Sequence, residues 1–187
     1  GEADAPLPVT DVSARGHLGA LLEGTAERTL TPVPAPPGFT ATLRPYQERG
    51  VAWLAFLSSL GLGACLADDM GLGKTVQLLA LEAHDRSDGP TGAPTLIVCP
   101  MSMVGTWQRE AATFAPGLRV HAHHGAARPR GEALHARLGE ADLVVTTYAT
   151  ATRDAEDLRA RRFHRLVLDE AQLIKNAHAA ASRTMRS

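Results

Sequence analysis

Lysine is nearly missing from this chain. Of nineteen basic residues only Lys74 and Lys175 are lysine, and the rest are arginine. Such an Ala- and Arg-rich composition fits a GC-rich genome. A lysine placed directly after Gly73 is then unlike a casual surface charge. Aromatic residues make up only 4% of the 187 residues, so a core must come from Leu, Val and Ala. No apolar run approaches the about 20 residues of a membrane-spanning helix. The first ten residues lack the basic start and apolar stretch of a secretory signal. These features predict a cytoplasmic protein with no membrane segment. Only two cysteines are present, Cys65 and Cys99, and they form no C-x-x-C pair. Each sits in a short apolar run, which predicts two buried free thiols. A net charge of −1 excludes a uniformly basic, histone-like DNA binder.

What is present alternates between short apolar runs and helical patterns. Residues 1–30 are weakly patterned, with a possible helix over 12–30. Residues 31–38 read T-P-V-P-A-P-P-G, a stiff linker, and a domain is predicted over 39–187. Pro45 opens a helix in which Trp53, Leu54, Leu57 and Leu60 recur at helical spacing, and Gly61 stops it. Buried strands are predicted at 63–67, 95–99, 118–123, 142–146 and 165–168. Helices are predicted at 74–84, 102–114, 131–138 and 151–161, and from Ala171 onward. Short apolar strands between helices predict an α/β fold, a mainly parallel sheet covered on both faces.

Two motifs carry chemistry. The stretch Asp68-Asp69-Met70-Gly71-Leu72-Gly73-Lys74-Thr75 follows an apolar run and opens a helix, the context a phosphate loop requires. Gly71 and Gly73 let backbone N–H groups approach phosphate oxygens, and the helix start adds partial positive charge. Lys74 is placed for the β- and γ-phosphates, and the Thr75 hydroxyl for magnesium. Asp68 stands where the strict pattern has glycine. The second motif, Leu166-Val167-Leu168-Asp169-Glu170, delivers two carboxylates to the end of a strand, where open parallel sheets bind ligands. Asp169 is the candidate magnesium ligand and Glu170 the base that orients the attacking water. Elsewhere such a pair is often only a helix cap.

With these motifs the chain resembles the first RecA-like lobe of the SWI/SNF-type helicase-like ATPases, in the second helicase superfamily. Leu43-Arg44-Pro45-Tyr46-Gln47 resembles that family's glutamine motif. The run from Ala67 to Gln77, with its acidic pair before Met70, resembles its phosphate loop. Leu96 to Pro100, continuing to Trp107, resembles motif Ia, and Val144 to Tyr148 resembles motif Ib. Leu168 to Asn176 resembles motif II. The resemblance implies a three-layer RecA-like P-loop fold, ATP and magnesium as cofactors, and double-stranded DNA as partner in a nucleoid-associated setting. It implies that Gln47 reads adenine, that Ser102, Thr146 and Thr147 hold the nucleic-acid backbone, and that Gln172 couples ATP to later motifs. It also implies a motif III and a second RecA-like lobe, with its arginine finger, beyond the stretch covered. The chain by itself is therefore expected to hydrolyse ATP poorly. Other readings are a different P-loop NTPase or a non-catalytic nucleotide- or DNA-binding module. The histidines 121, 123 and 124 read as surface residues rather than a metal site. The arginines from Arg153 to Arg165 read as a solvated helix face.

Overall fold

A computed structural model describes residues 30–34, 36–67 and 71–174. The possible helix at 12–30, the acidic pair Asp68 and Asp69, and the end of motif II at Lys175 and Asn176 lie outside the described residues. The elements run α1 (Pro45–Ser59), α2 (Lys74–Asp85), β1 (Thr95–Cys99), α3 (Met101–Phe114), β2 (Val120–His123), α4 (Gly131–Glu140), β3 (Leu143–Thr147), α5 (Tyr148–Arg153), α6 (Ala155–Arg159) and β4 (Arg165–Leu168). A single 3₁₀ turn, Ala171–Ile174, follows β4.

The four strands form one sheet in the order β2-β3-β1-β4, and every pairing is parallel. The two inner strands, β1 and β3, are buried along their whole length. That is the reason both read as unbroken apolar runs rather than alternating ones. Ile97, Cys99, Leu143 and Val145 face one cluster with Val51, Leu79, Leu81, Val104, Trp107 and Ala111 of α1, α2 and α3. Leu96, Val98 and Val144 face the other, with Leu134 and Leu138 of α4, Ala151 of α5 and Leu158 of α6. The result is the three-layer α/β sandwich expected. Gly50 is where α1 lies against α2: a Cβ there would stand 1.9 Å from Oε1 of Gln77.

Several expectations are corrected. Residues 63–67 pair with no described strand and are mostly exposed. The run G-A-C-L-A has no β-branched residue, so an apolar stretch alone did not make a strand. Cys65 is consequently exposed, while Cys99 is buried as predicted. The helix expected at 151–161 is two short helices that break at Asp154, whose carboxylate is drawn away by Arg128 and His123. His123 is not a surface residue but fully buried. Arg165 is not on a helix; it begins β4 and pairs with Glu82, and with Asp85 at 2.9 Å. The strand expected at 118–123 is trimmed to Val120–His123.

Candidate magnesium–nucleotide site

The site forms at the C-terminal end of β1 and β4, opposite the start of α2. Gly71 and Gly73 both have positive φ, +86° and +76°, a conformation that side-chain-bearing residues adopt only at a cost. Gly73 is the residue before the first turn of α2. A Cβ on it would also come within 2.5 Å of Nε2 of Gln47. Glycine is required there twice over, by backbone conformation and by space. Lys74 and Thr75 then occupy the first turn of α2, both partly exposed.

The loop is held from α1. The Gln47 side-chain amide donates to the Leu72 carbonyl at 3.0 Å, and the Tyr46 hydroxyl donates to the same oxygen at 3.3 Å. The Gln47 Oε1 atom accepts from the Arg44 backbone N–H at 2.9 Å. Gln47 thus commits its acceptor and one donor to the protein itself. As placed, it is a clamp on the phosphate loop.

Asp169 is fixed on three sides. Its N–H donates to the Val98 carbonyl at 2.9 Å, extending the β1–β4 ladder by one residue. Its carbonyl accepts from the Tyr148 hydroxyl at 2.8 Å. Its Oδ2 accepts from the Trp107 indole N–H at 3.0 Å. Burial, and then the charge of Asp169, push the Tyr148 hydroxyl up to about 12, so it stays a donor. The same two causes push the Cys99 thiol up to about 12, which keeps it an unreactive core side chain. Glu170 takes φ +52°, the one left-handed non-glycine among the described residues. The chain turns there from β4 into the 3₁₀ turn at a cost of order 1–3 kcal/mol, and such strain collects at functional sites. The Gln172 side-chain amide donates to the Glu170 carboxylate.

Glu110 of α3 was not foreseen. Burial chiefly, and the charge of Asp169 to a lesser degree, raise the pKa of its carboxyl, against the lowering influence of Thr75 and Arg109 nearby. Thr75 of α2 and Asp169, just after β4, both lie near Glu110 of α3. Their oxygens are the hard donors magnesium takes. Among the described residues no three His, Cys, Asp or Glu side chains group closely enough to hold a metal alone. The donor set thus fits a magnesium ion shared with nucleotide phosphates rather than one caged by protein. The histidines 121 and 123 belong to no metal cluster either.

The residues expected at nucleic acid are divided. Ser102 lies exposed in the first turn of α3. Thr146 is fully buried and its hydroxyl donates to the His123 carbonyl at 2.7 Å. Thr147 is 4% exposed and caps α5, accepting from the Thr150 N–H at 3.2 Å. Both hydroxyls are spent inside the fold.

A parallel sheet with a glycine-bearing loop at a helix start, and a carboxylate at the end of a neighbouring strand, defines a RecA-like nucleotide-binding lobe. Residues 46–187 match the SNF2-related domain, and the chain belongs to that family. It is 48% identical over 162 residues to YwqA of Bacillus subtilis, a candidate ATP-dependent helicase/translocase, covering 87% of this chain and 18% of that protein. It is 39% identical over 166 residues to the TATA-binding protein-associated factor mot1 of Schizosaccharomyces pombe, covering 83% of this chain and 8% of mot1. The SWI2/SNF2 ATPase core of Sulfolobus solfataricus in complex with dsDNA superposes with a TM-score of 0.72 at 36% identity, over 82% of this chain and 31% of that one. The chain spans less than a third of each of these relatives. Membership of this family implies the use of ATP. No helix of the described residues is long and apolar enough to cross a membrane.

Proposed function

We propose that this chain is the magnesium–ATP-binding lobe of a double-stranded-DNA translocase that remodels or displaces DNA-bound proteins, working on the nucleoid in the cytoplasm. The observation that carries the reading is Asp169, fixed at the end of β4 by Val98, Tyr148 and Trp107, together with the glycine loop that opens α2. Lys74 contacts the β- and γ-phosphates as a point charge, and the N–H groups from Gly71 to Thr75 cradle their oxygens. Thr75 and Asp169 hold magnesium, which when bound neutralises the phosphate charge. Glu170 orients and deprotonates the attacking water. Gln47 keeps one side-chain N–H for adenine N7 while tying the loop in place. Gln172, bonded to Glu170, transmits the state of the site to later motifs.

The Sulfolobus core bound to dsDNA supports a duplex partner for this lobe. Ser102 is the exposed candidate contact. Binding should be sequence-independent and salt-sensitive, each phosphate contact contributing a slope of about −0.9 in log K against log salt. In this proposal a second RecA-like lobe supplies an arginine to the transferring phosphoryl group, worth about 10³–10⁵ in rate. Phosphate release is the test, measured with and without duplex DNA, on this chain and on a two-lobed protein containing it. We expect slow turnover by the chain and DNA-stimulated turnover by the two-lobed protein that Glu170→Gln abolishes. Equal rates from both would contradict the division of labour.

A further inference from the structure

Where β4 ends, the chain passes through Glu170 at φ +52°, the one left-handed non-glycine among the described residues. A side chain from the end of a different strand holds the peptide unit just before it. That unit joins the Asp169 carbonyl to the Glu170 N–H, and the carbonyl accepts from the Tyr148 hydroxyl at 2.8 Å. Tyr148 opens α5 directly after β3, two strands away from β4 in the sheet. We infer that Tyr148 is a positioning residue for Glu170, its hydroxyl fixing the plane of the Asp169–Glu170 peptide and so aiming the Glu170 carboxylate. The inference rests on the reading of Glu170 as the base that orients the attacking water.

The backbone geometry supports it. A peptide unit is planar, so fixing its carbonyl also fixes the bond that leads to the next Cα. On the other side, the Asp169 N–H is tied to the Val98 carbonyl at 2.9 Å. The backbone of Asp169 is thus held at both ends. Glu170 leaves it in a conformation that persists only when the surroundings over-determine it. The Gln172 amide holds the far end of the same residue, at its carboxylate. Tyr148 is itself fixed. Thr147 caps α5 by accepting from the Thr150 N–H at 3.2 Å. The Tyr148 carbonyl accepts from the Thr152 hydroxyl at 2.8 Å, and its side chain packs against the cluster that contains Leu96, Val98 and Val144. That packing does not require the hydroxyl, because a phenylalanine ring fills the same space. The hydrogen bonds described for Tyr148 go to Asp169 and Thr152, none to residues 71–75. Its hydroxyl can therefore be removed with the phosphate loop left in place.

The test is steady-state ATP hydrolysis with duplex DNA by the two-lobed protein containing this chain. Wild type is compared with Tyr148→Phe, Tyr148→Met, Thr152→Ala and Glu170→Gln, with thermal unfolding and the affinity for a fluorescent ATP analogue measured alongside. Tyr148→Phe should lower kcat about 3–10-fold, the effect of one lost hydrogen bond, and leave KM and analogue affinity at wild-type values. That split separates an interaction that serves the chemical step from one that binds substrate. Tyr148→Met fills the space without a hydroxyl and should match it, and carries the test if Tyr148→Phe fails to fold. Thr152→Ala removes a hydroxyl from the same helix without touching Asp169 and should keep the wild-type kcat. A wild-type kcat in the Tyr148 variants overturns the inference, as does an affinity that falls as far as kcat. A Thr152→Ala rate as low as that of Tyr148→Phe overturns it too, since loosening of α5 would then explain both. With Glu170→Gln inactive, each of these results leaves the proposed function standing. Hydrolysis that survives Glu170→Gln overturns the reading of Glu170 and the inference with it.

Discussion

The two ends of the paired strands β1 and β4 hold their neighbouring carboxylates in opposite ways. At the N-terminal end of the strands, charge meets charge. Glu82 is fully buried and holds Arg86 at 2.5 Å, Arg165, and the Thr95 hydroxyl at 2.7 Å. Asp142 takes both arms of Arg119 at 2.9 Å each. Burial works to raise the pKa of Asp142, but the Arg119 hydrogen bonds outweigh it and hold the carboxyl below its ordinary range. At the C-terminal end, the hydrogen-bond donors described for the carboxylates of Asp169 and Glu170 are neutral: an indole and an amide. Neutral donors orient a carboxylate without cancelling its charge. The first arrangement closes the sheet. The second keeps negative charge where a cation and its phosphates can meet it.

The comparison breaks most visibly at Glu82. Glu82→Ala leaves Arg86 and Arg165 without their shared counter-charge, and should cost about 3–5 kcal/mol of stability. The loss reads out as a lowered urea midpoint, and binding per folded molecule should be retained. A midpoint unchanged from wild type would mean the N-terminal network closes nothing. Next in size is Gly73→Ala, which puts a side chain into a left-handed position and against Gln47. A cost of about 1–2 kcal/mol in stability is expected from the backbone alone, together with weaker nucleotide binding as the Gln47 contact to Leu72 is displaced.

The smallest effect sharpens the contrast at the far edge of the sheet. There Asp154 is held by Arg128, at 2.7 Å through one oxygen, and by His123 at 2.9 Å. The Arg128 hydrogen bonds outweigh burial and bring the Asp154 carboxyl to about 2. The folded value lies below the unfolded one, so the associated stability is present above about pH 4 and is lost as the pH falls toward 2. Its size is about 1–2 kcal/mol once solvent screening is allowed for. Urea midpoints between pH 5 and 2 should fall more steeply in wild type than in Asp154→Asn. Parallel slopes would show that Asp154 carries no such stabilisation.

The parts legible in sequence were those where local pattern and tertiary role coincide. The runs T-L-I-V-C and L-V-V-T-T are buried on both sides, so continuous apolarity was a sound sign of strand. The glycine loop was legible as a turn into a helix, because Gly71 and Gly73 stand at positive φ directly before α2. The run 63–67 misled because apolarity without β-branching does not separate strand from extended loop. Trp107 stood inside a recognised stretch, but its bond to Asp169 spans 62 positions and depends on which face of α3 meets β4. Glu110 lies one helical turn beyond it, a spacing that would have pointed to the same face had the partner strand been known. His123 and Asp154 were each read in isolation, as a surface histidine and as part of a polar helix. Only the fold brings them together with Arg128, and that contact both buries the histidine and breaks the helix.

The central claim is that the C-terminal end of this sheet binds nucleotide through the phosphate loop. Titration of a fluorescent ATP analogue in magnesium against wild type and Lys74→Ala tests it most directly. Loss of one charge-assisted contact should weaken binding by roughly 1.5–3 kcal/mol, at least tenfold, while the urea midpoint stays near that of wild type. Clear binding by wild type with equal affinity in Lys74→Ala would contradict it.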